Sequence, residues 1–379
     1  MANNKCILPW IAVDRNPKTQ KGKITFSPCC FFDTSKKYKS VAEYWNSDEI
    51  KELRQYFIED KRHPGCNQCW NAEDKGVKSL RQSVNESRLE EFISRTDTTT
   101  CEDMPAQVKY TVGNQCNLAC RMCVPNSSSK VKKVWDTLQI EDKLAIDDFD
   151  WYSYVIENFN SIKYLDITGG EPFYHKRIQQ LIAWLVDNDH AGHITVYVTT
   201  NAMMLDDKLI SHLKRFENVV VIVSLDAVGR KHEYIRPGAD WDTIVSNIDK
   251  LRKNRLNVIV QPVISAINIL CLPELIDWCQ QRKLHMTQMS LVHEPAALHP
   301  KNLPTSLKPL VDNKFKSFIE EQSTDSSLEF IKKLDEYWNT KIYDYMPEWE
   351  DVYVNNTVLS QTEKDYDLYR RTLEYVKEI

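Results

Sequence analysis

The sequence predicts an α/β fold organised around a parallel sheet, in the form of a partial (β/α)6 barrel. From about residue 105 to 295, short apolar segments alternate with amphipathic helical segments. Strands that are apolar along their whole length and separated by helices are typical of a parallel sheet buried on both faces. Six such units are too few for the eight of a closed barrel, and active-site residues are expected at the C-terminal ends of the strands. The predicted strands span residues 107–112, 162–168, 194–199, 219–225, 257–263 and 286–292.

The segments on either side of this core have a different character. Residues 1–100 are rich in cysteine and are expected to begin with a hairpin, formed by apolar segments 7–13 and 23–27, followed by a helix from Asp48 that Ser47 precedes. Residues 300–379 carry apolar side chains at helical intervals, which predicts a helical C-terminal region. The predicted domains are therefore residues 1–100, 105–295 and 300–379.

Composition narrows the class of protein. The chain has 379 residues, a net charge of -5, 42% hydrophobic and 27% charged residues, which is typical of a soluble globular protein and gives no overall attraction to nucleic acid. The most apolar stretch, residues 258–276, is interrupted by Gln261, Pro262 and Glu274, so no membrane span is expected. The N-terminal apolar run lacks a small-residue cleavage site, and the expected location is the cytoplasm.

Three cysteines follow the first predicted strand of the core. Cys116, Cys120 and Cys123 have the spacing C-x-x-x-C-x-x-C and lie where a loop leaves the C-terminal end of that strand. Three thiolates at this spacing can bind three irons of a four-iron cubane, whereas a fully protein-ligated cluster uses four cysteines. One iron is then open to a substrate or cofactor. A zinc ion with a distant fourth ligand is the alternative that the spacing leaves open.

This motif and its position resemble those of the radical S-adenosylmethionine (radical SAM) enzymes. The resemblance implies that Cys116, Cys120 and Cys123 hold a [4Fe-4S] cluster whose fourth iron binds exchangeable S-adenosylmethionine (SAM). Met122 stands where an aromatic residue is usual in the family, at a position that packs near the adenine of SAM.

A second motif of the family follows the second predicted strand. Residues 168–172 read Thr-Gly-Gly-Glu-Pro and resemble the segment that binds the methionine amino group of SAM. Gly169 and Gly170 allow the backbone to approach a ligand closely, and Glu171 offers acceptors to an ammonium group. The resemblance implies that these three residues bind the cofactor.

Two later segments extend the resemblance, each after a predicted strand. Asn201 lies in a segment similar to one that follows the third strand of the family, and Ser224 and Asp226 match a segment that contacts the ribose of SAM. Arg236 matches an arginine that pairs with the SAM carboxylate, a task that suits a guanidinium because it forms two parallel hydrogen bonds.

The N-terminal cysteines resemble the accessory twitch or SPASM cluster region of the same superfamily. Cys6, Cys29, Cys66 and Cys69 supply four thiolates, the complement of a closed auxiliary [4Fe-4S] cluster. Zinc is the rival, because four cysteines also make a tetrahedral zinc site. Cys30 is the alternative to Cys29 as the ligand. In relatives this region more often follows the barrel, whereas here it precedes it.

The resemblance implies an enzyme that cleaves SAM reductively to a 5'-deoxyadenosyl radical, which takes hydrogen from a substrate. The resemblance also implies that an auxiliary cluster accepts the electron left on the substrate radical. The expected reaction is then a peptide or protein modification or a dehydrogenation. The alternatives are oxidation or rearrangement of a small polar metabolite and, in a different class, a non-catalytic iron-sulfur or zinc protein. The implied partners are SAM, the substrate and an external electron donor such as flavodoxin or ferredoxin.

Overall fold

A computed structural model describes residues 4–16, 25–32, 34, 36–142, 149–287, 289–319 and 326–355. Its strands are β1 (Ala12–Asn16), β2 (Thr25–Ser27), β3 (Gln107–Thr111), β4 (Tyr164–Thr168), β5 (Thr195–Thr200), β6 (Asn218–Val223), β7 (Asn257–Val260), β8 (Val263–Ile264), β9 (His285–Met286) and β10 (Ser290–Leu291). The predicted α/β class is confirmed, with a mostly parallel eight-stranded sheet of order β2-β1-β3-β4-β5-β6-β7-β9 that is consistent with a partial barrel.

Helices connect the strands in alternation through the core. They are α1 (Leu8–Ile11), α2 (Val41–Trp45), α3 (Asp48–Ile58), α4 (Asn67–Asp74), α5 (Leu80–Phe92), α6 (Ser129–Thr137), α7 (Trp151–Asn158), α8 (Lys176–Asp187), α9 (Asp207–Leu213), α10 (Gly229–Ile235), α11 (Trp241–Lys253), α12 (Leu272–Gln281), α13 (Ser326–Trp338) and α14 (Glu350–Asn355). None of the helices among the described residues is long and apolar enough to cross a membrane.

The N-terminal hairpin differs in part from its prediction. β1 and β2 pair antiparallel, as expected, with Asp14 opposite Ser27. The first half of segment 7–13 is nevertheless helical, because Pro9 lies in the first turn of α1, where its missing N–H costs no helical hydrogen bond. β1 also pairs in parallel with β3, so the N-terminal segment adds two strands to the sheet.

Two of the predicted core strands are each divided in two. Segment 257–263 gives β7 and β8, which Gln261 and Pro262 separate, since proline cannot donate to the sheet. Segment 286–292 gives β9 and β10, and β10 pairs with β8 in a separate two-stranded sheet. The other four predicted strands are confirmed within two residues at each end.

The C-terminal region is less regularly helical than predicted. α13 and α14 are present, but residues 300–318 form a series of 3-10 turns in which Pro300, Pro304 and Pro309 prevent a continuous α-helix. These turns and α13 bury a common core that includes Leu298, Ile331 and Trp349. Residues 356–379 lie outside the described residues.

The chain divides into two compact units. Unit 1 comprises residues 1–113, 143–198 and 207–219, and unit 2 comprises residues 114–142, 199–206 and 220–379. In unit 1, β3 and β4 bury Val108, Tyr110, Leu165 and Ile167 on one face. The predicted domain boundaries stay a prediction.

Candidate functional site

Unit 2 contains the loop of residues 114–128, here called the cluster loop, which brings together the three predicted ligands. Cys116 and Cys120 belong to one small buried cluster, against which Cys123 packs. Burial raises the pKa of the Cys120 and Cys123 thiols, and the pKa of Cys123 is raised further by the charges of Cys120 and Cys116. The three sulfurs therefore lie within electrostatic reach of one another, and a cation among them would favour their thiolate forms.

Backbone hydrogen bonds fix the cluster loop to the segment after α10. The N–H of Ala119 donates to the carbonyl of Pro237 at 3.1 Å, and the N–H of Arg121 donates to the carbonyl of Ile235 at 2.9 Å. Leu118 and Asn117 also lie against Gly238, where an added Cβ would come within 3.3 Å of Leu118. The cluster loop has no regular secondary structure, and these tertiary contacts hold it in place.

A buried ion pair holds the same loop to the C-terminal region. Nη1 of Arg121 lies 3.1 Å from Oδ1 of Asp335 on α13, and the side chains are 1% and 0% exposed. The Arg121 guanidinium also lies 3.9 Å from the ring centre of Tyr234. Asp335 accepts further hydrogen bonds from the hydroxyls of Tyr234 and Thr340. Sequence reasoning did not identify this pair, because a buried charge pair leaves no spacing pattern in the sequence.

The predicted cofactor residues of unit 2 include Asn201, Met122 and Ser224. Nδ2 of Asn201 donates to Oδ1 of Asn117 at 2.8 Å, so Asn201 is in direct contact with the loop. Met122 is buried in the core of the unit. Ser224 is half-buried at the end of β6, where its N–H donates to the carbonyl of Thr200.

Arg236 and Asp226 form a second buried ion pair. Nε of Arg236 donates to Oδ2 of Asp226 at 2.6 Å, and its Nη1 lies 3.7 Å from Sγ of Cys120. Asp226 is 0% exposed, and its Oδ1 accepts from the N–H of Val263. Both oxygens of Asp226 are therefore occupied by protein donors, and the carboxylate holds the Arg236 guanidinium beside the Cys120 thiol.

Unit 1 contains the Gly-Gly-Glu segment that follows β4. Gly169 has φ +94°, and a Cβ there would come within 2.9 Å of the backbone nitrogen of Val112. The N–H of Gly170 donates to the carbonyl of Gly113 at 2.9 Å, and Oε1 of the buried Glu171 accepts from the N–H of Phe173. The tight turn therefore requires glycine at 169 and fixes the Glu171 carboxylate.

The four N-terminal cysteines line one cavity in unit 1. Cys6 precedes α1, Cys29 follows β2, and Cys66 and Cys69 lie on the first turn leading into α4, where a spacing of three places side chains on one face. Cys30 is not among the lining residues. The cavity is lined by Cys6, Leu8, Cys29, Phe31, Phe32, Gly65, Cys66, Cys69, Leu80 and Arg81.

Charge around this cavity comes from α4 and α5. The Arg81 guanidinium donates to both oxygens of Glu73, at 2.9 Å and 2.6 Å, and to the carbonyl of Lys5 beside Cys6. Burial raises the pKa of Cys69, whereas hydrogen bonds from the Arg81 backbone and the Ser79 side chain lower it. Arg81 and Ser79 therefore offset part of the rise in the pKa of Cys69 that burial causes.

Neither the three thiols of the cluster loop nor the four N-terminal thiols are arranged like ligands around a single metal ion. Among the described residues, no three His, Cys, Asp or Glu side chains are placed to hold a single metal ion together. Four sulfurs on one zinc ion, each at about 2.3 Å, would lie about 3.8 Å apart. The four N-terminal thiols line one cavity.

Residues 110–279 match the family model of the Radical SAM superfamily. The GTP 3',8-cyclase of Helicobacter pylori (strain HPAG1) is 22% identical over 213 residues, which cover 53% of this chain and 59% of that protein. The GTP 3',8-cyclase of Brucella ovis is 26% identical over 191 residues, 48% of this chain and 51% of that protein. The chain thus matches about three fifths of the length of the first of these relatives.

Two solved structures show partial similarity to this chain. Native anSMEcpe with bound AdoMet has a TM-score of 0.37 and 16% identity, covering 66% of this chain and 62% of that chain. Streptococcus suis SuiB bound to the precursor peptide SuiA has a TM-score of 0.38 and 14% identity, covering 79% of this chain and 64% of that chain.

The Arg121–Asp335 pair gives the first prediction. Asp335→Asn leaves Arg121 buried without its counter-charge, so we expect the free energy of unfolding to fall by about 3–5 kcal/mol. Glu336→Gln, one residue along α13 and exposed, is the matched control. Denaturant unfolding measures the difference, and equal stability of the two variants would show that the pair does not secure the cluster loop.

The turn after β4 gives the second prediction. Gly169→Ala forces a side chain into a left-handed conformation against the backbone of Val112, at an expected cost of about 1–3 kcal/mol, and displaces Glu171. Gly192→Ala is the control, because nothing lies within 4 Å of its added Cβ. Thermal unfolding and SAM binding by equilibrium dialysis are the measurements. A Gly169→Ala protein that keeps wild-type stability and affinity would contradict the account of this turn.

Proposed function

We propose that this chain is a radical SAM enzyme that dehydrogenates its substrate with the help of an auxiliary [4Fe-4S] cluster held by Cys6, Cys29, Cys66 and Cys69. The observation that carries the proposal is the single cavity that these four thiols line. When bound, the two clusters supply the electron that cleaves SAM and an acceptor for the electron that the substrate gives up.

The residues of the cluster loop fit the first of these groups. Three soft thiolates at Cys116, Cys120 and Cys123 suit iron, and their number leaves one iron for SAM. Arg236 keeps its Nη2 without a hydrogen bond to any described residue, so we propose that this nitrogen and Nη1 bind the SAM carboxylate. Asp226 then acts as a positioning residue that holds Arg236. Because both oxygens of Asp226 already accept hydrogen bonds from the protein, Ser224 is the residue of this segment that would contact the ribose of SAM.

The other cofactor contacts follow from the fixed turns. The Glu171 carboxylate would accept hydrogen bonds from the methionine ammonium of SAM. Gly169 and Gly170 would allow SAM to approach the backbone closely. Asn201 orients the cluster loop through Asn117, and Met122 packs towards the adenine. These roles come from the family resemblance and agree with the burial and hydrogen bonds of the side chains.

The auxiliary site favours a cluster over zinc. Its four thiols surround a cavity lined largely by apolar side chains, which excludes water from a buried redox group. Arg81 at the cavity wall, which is paired with Glu73, acts on Cys6 and Cys66 and offsets part of the rise in pKa that burial causes in each thiol. Four cysteines leave no iron open, so this group can carry electrons or stabilise the fold but cannot bind substrate.

The name of the curated relatives suggests GTP as a second substrate. A triphosphate needs a surplus of cationic side chains, whereas on the described strands β1, β3 and β4 the carboxylates of Asp14 and Asp166 offset the charges of Lys109 and the neighbouring Arg88. We therefore propose a peptide, protein or small polar molecule rather than GTP, with electrons from a flavodoxin or ferredoxin.

The third prediction tests the core site. Anaerobically reconstituted protein is expected to hold about eight irons as two four-iron clusters and, once reduced, to convert SAM to 5'-deoxyadenosine. Replacing Cys116, Cys120 and Cys123 together by alanine should remove about half of the iron and all of this product. Replacing the buried Cys271 and Cys279 is the matched control and should change neither. Production of 5'-deoxyadenosine by the triple variant would contradict the assignment.

The fourth prediction separates electron transfer from structure at the auxiliary site. Cys66→Ser with Cys69→Ser should leave SAM cleavage largely intact while abolishing substrate oxidation, since the electron then has no acceptor. Candidate substrates are followed by mass spectrometry for a loss of two hydrogens. The comparison uses folded variant protein, because losing a metal site destabilises a small cysteine-rich segment. A folded double variant that oxidises substrate at the wild-type rate would rule out this role.

A further inference from the structure

A row of polar side chains crosses five neighbouring strands of unit 1 at one level. Asp14 on β1 lies opposite Ser27 on β2, and Nζ of Lys109 on β3 lies 3.1 Å from Oδ2 of Asp14. Lys109 lies opposite Asp166 on β4, and Asp166 lies opposite Tyr197 on β5. Asp14, Lys109 and Asp166 are here called the charged row.

The charged row occupies the face of the sheet that apolar packing leaves open. The alternate residues of β3 and β4, among them Val108 and Leu165, are fully buried on the opposite face. Lys109 keeps 28% of its side-chain exposure and Asp166 is half-buried, although burial raises the pKa of the Asp166 carboxyl. Side chains that are enclosed by protein yet still accessible line an internal space.

This row has more acceptors than donors. Asp14 is only 3% exposed, and its Oδ1 has no hydrogen-bond partner. No hydrogen bond or ion pair joins Asp166 to another residue that the structure describes. Two carboxylates and one ammonium give the row a net charge of one negative unit, and a buried carboxylate without a donor costs free energy that a bound cation would recover.

The nearest further cation, Arg88, acts on Asp166 as well as on groups outside the row. The Arg88 guanidinium lies 4.2 Å from the ring centre of Tyr164 and donates to Oε1 of Gln107. Its charge also acts on Glu91, where it contributes to lowering the pKa. Arg88 therefore offsets the charge of the row in part and leaves the unpaired oxygens of Asp14 and Asp166 unoccupied.

The position of the row suits a substrate site. Asp166 precedes the end of β4 by two residues, or about 7 Å, and the Gly-Gly-Glu turn begins there. At the other end, Ser27 precedes Cys29 by two residues, and Lys109 interacts electrostatically with Cys30. The row thus extends from the segment proposed to bind SAM to the segment proposed to bind the auxiliary cluster.

We propose that the charged row binds the substrate through a protonated amine, which donates hydrogen bonds to the half-buried Asp166 carboxylate, while the buried Asp14 carboxylate contributes negative charge beside it. An ammonium has three donors and no acceptor, so it complements a site with surplus carboxylate oxygens. The inference rests on the proposed function, because it places the amine of the substrate between the two cofactor sites. The amine belongs either to a small molecule or to a lysine of a peptide.

Binding to the oxidised, reconstituted enzyme with SAM tests this directly. Saturation-transfer NMR compares n-butylamine, n-butanol and butyrate, which differ in charge but little in size. We expect n-butylamine to bind saturably and at least about tenfold more tightly than the other two. An acetylated Gly-Gly-Lys-Gly-Gly amide is the peptide arm: tighter binding than n-butylamine indicates a peptide substrate, and weaker binding indicates a small amine.

The variants locate the binding. Asp166→Asn keeps the shape of the side chain and breaks no ion pair, so it should fold normally and lose the preference for n-butylamine. Asp136→Asn, an exposed carboxylate on α6, is the matched control and should keep it. Iron content and circular dichroism confirm the fold of each variant. Equal binding of the three probes by wild type, or unchanged n-butylamine affinity in Asp166→Asn, would overturn the proposal.

A second readout separates this inference from the function on which it rests. With reductant and perdeuterated n-butylamine, the wild type should yield 5'-deoxyadenosine that carries deuterium, and Asp166→Asn should yield unlabelled product. Failure to form 5'-deoxyadenosine under any condition counts against the proposed function. Normal 5'-deoxyadenosine formation without deuterium transfer counts against the charged row as the substrate site.

Discussion

Three thiols can serve as ligands of one cluster only if the loop that carries them is held in place, and here the buried Arg121–Asp335 ion pair supplies the anchor. The cluster loop has no regular secondary structure between β3 and α6. Its two backbone hydrogen bonds to residues 235–237 fix its middle, and Arg121 ties it to α13. Removing one member of such a pair leaves a buried charge without compensation, so the pair couples the C-terminal region to the loop that carries Cys116, Cys120 and Cys123.

The parallel sheet also explains why one of its faces in unit 1 is polar. A parallel sheet buries apolar residues on the face that helices cover, and its other face is then available for chemistry. β3 and β4 follow this rule residue by residue, with Val108 and Ile167 on the covered face and Lys109 and Asp166 on the other. Because β1 joins this sheet in parallel, the N-terminal cysteines are connected to the core by continuous backbone pairing. The cavity that these cysteines line is thereby attached to the strand that carries Asp14.

Much of the core could be predicted from the sequence because the signals are local. Apolar strands, amphipathic helices and the turn at Gly169 each depend on a few consecutive residues, and they agree with the structure closely. The strand breaks at Pro262 and the short helix at Pro9 depend on proline within an apolar run, which periodicity alone does not resolve.

The contacts that join distant segments could not be predicted. Arg121 and Asp335 are more than two hundred residues apart, and the occupied oxygens of Asp226 became visible only once Val263 and Arg236 were placed around them. The charged row is of the same kind, since Asp14, Lys109 and Asp166 come from three separate strands. Their register follows from β1 pairing with β3, which the sequence did not indicate.

The central claim is that the chain holds two clusters of different kinds, one open to SAM and one closed by four cysteines. Electron paramagnetic resonance of the reduced protein, recorded with and without SAM, tests it most directly. We expect two cluster signals. SAM should shift only one of them, the signal that disappears when Cys116, Cys120 and Cys123 are replaced. A single signal, or a SAM-induced shift in the signal that depends on Cys66 and Cys69, would contradict it.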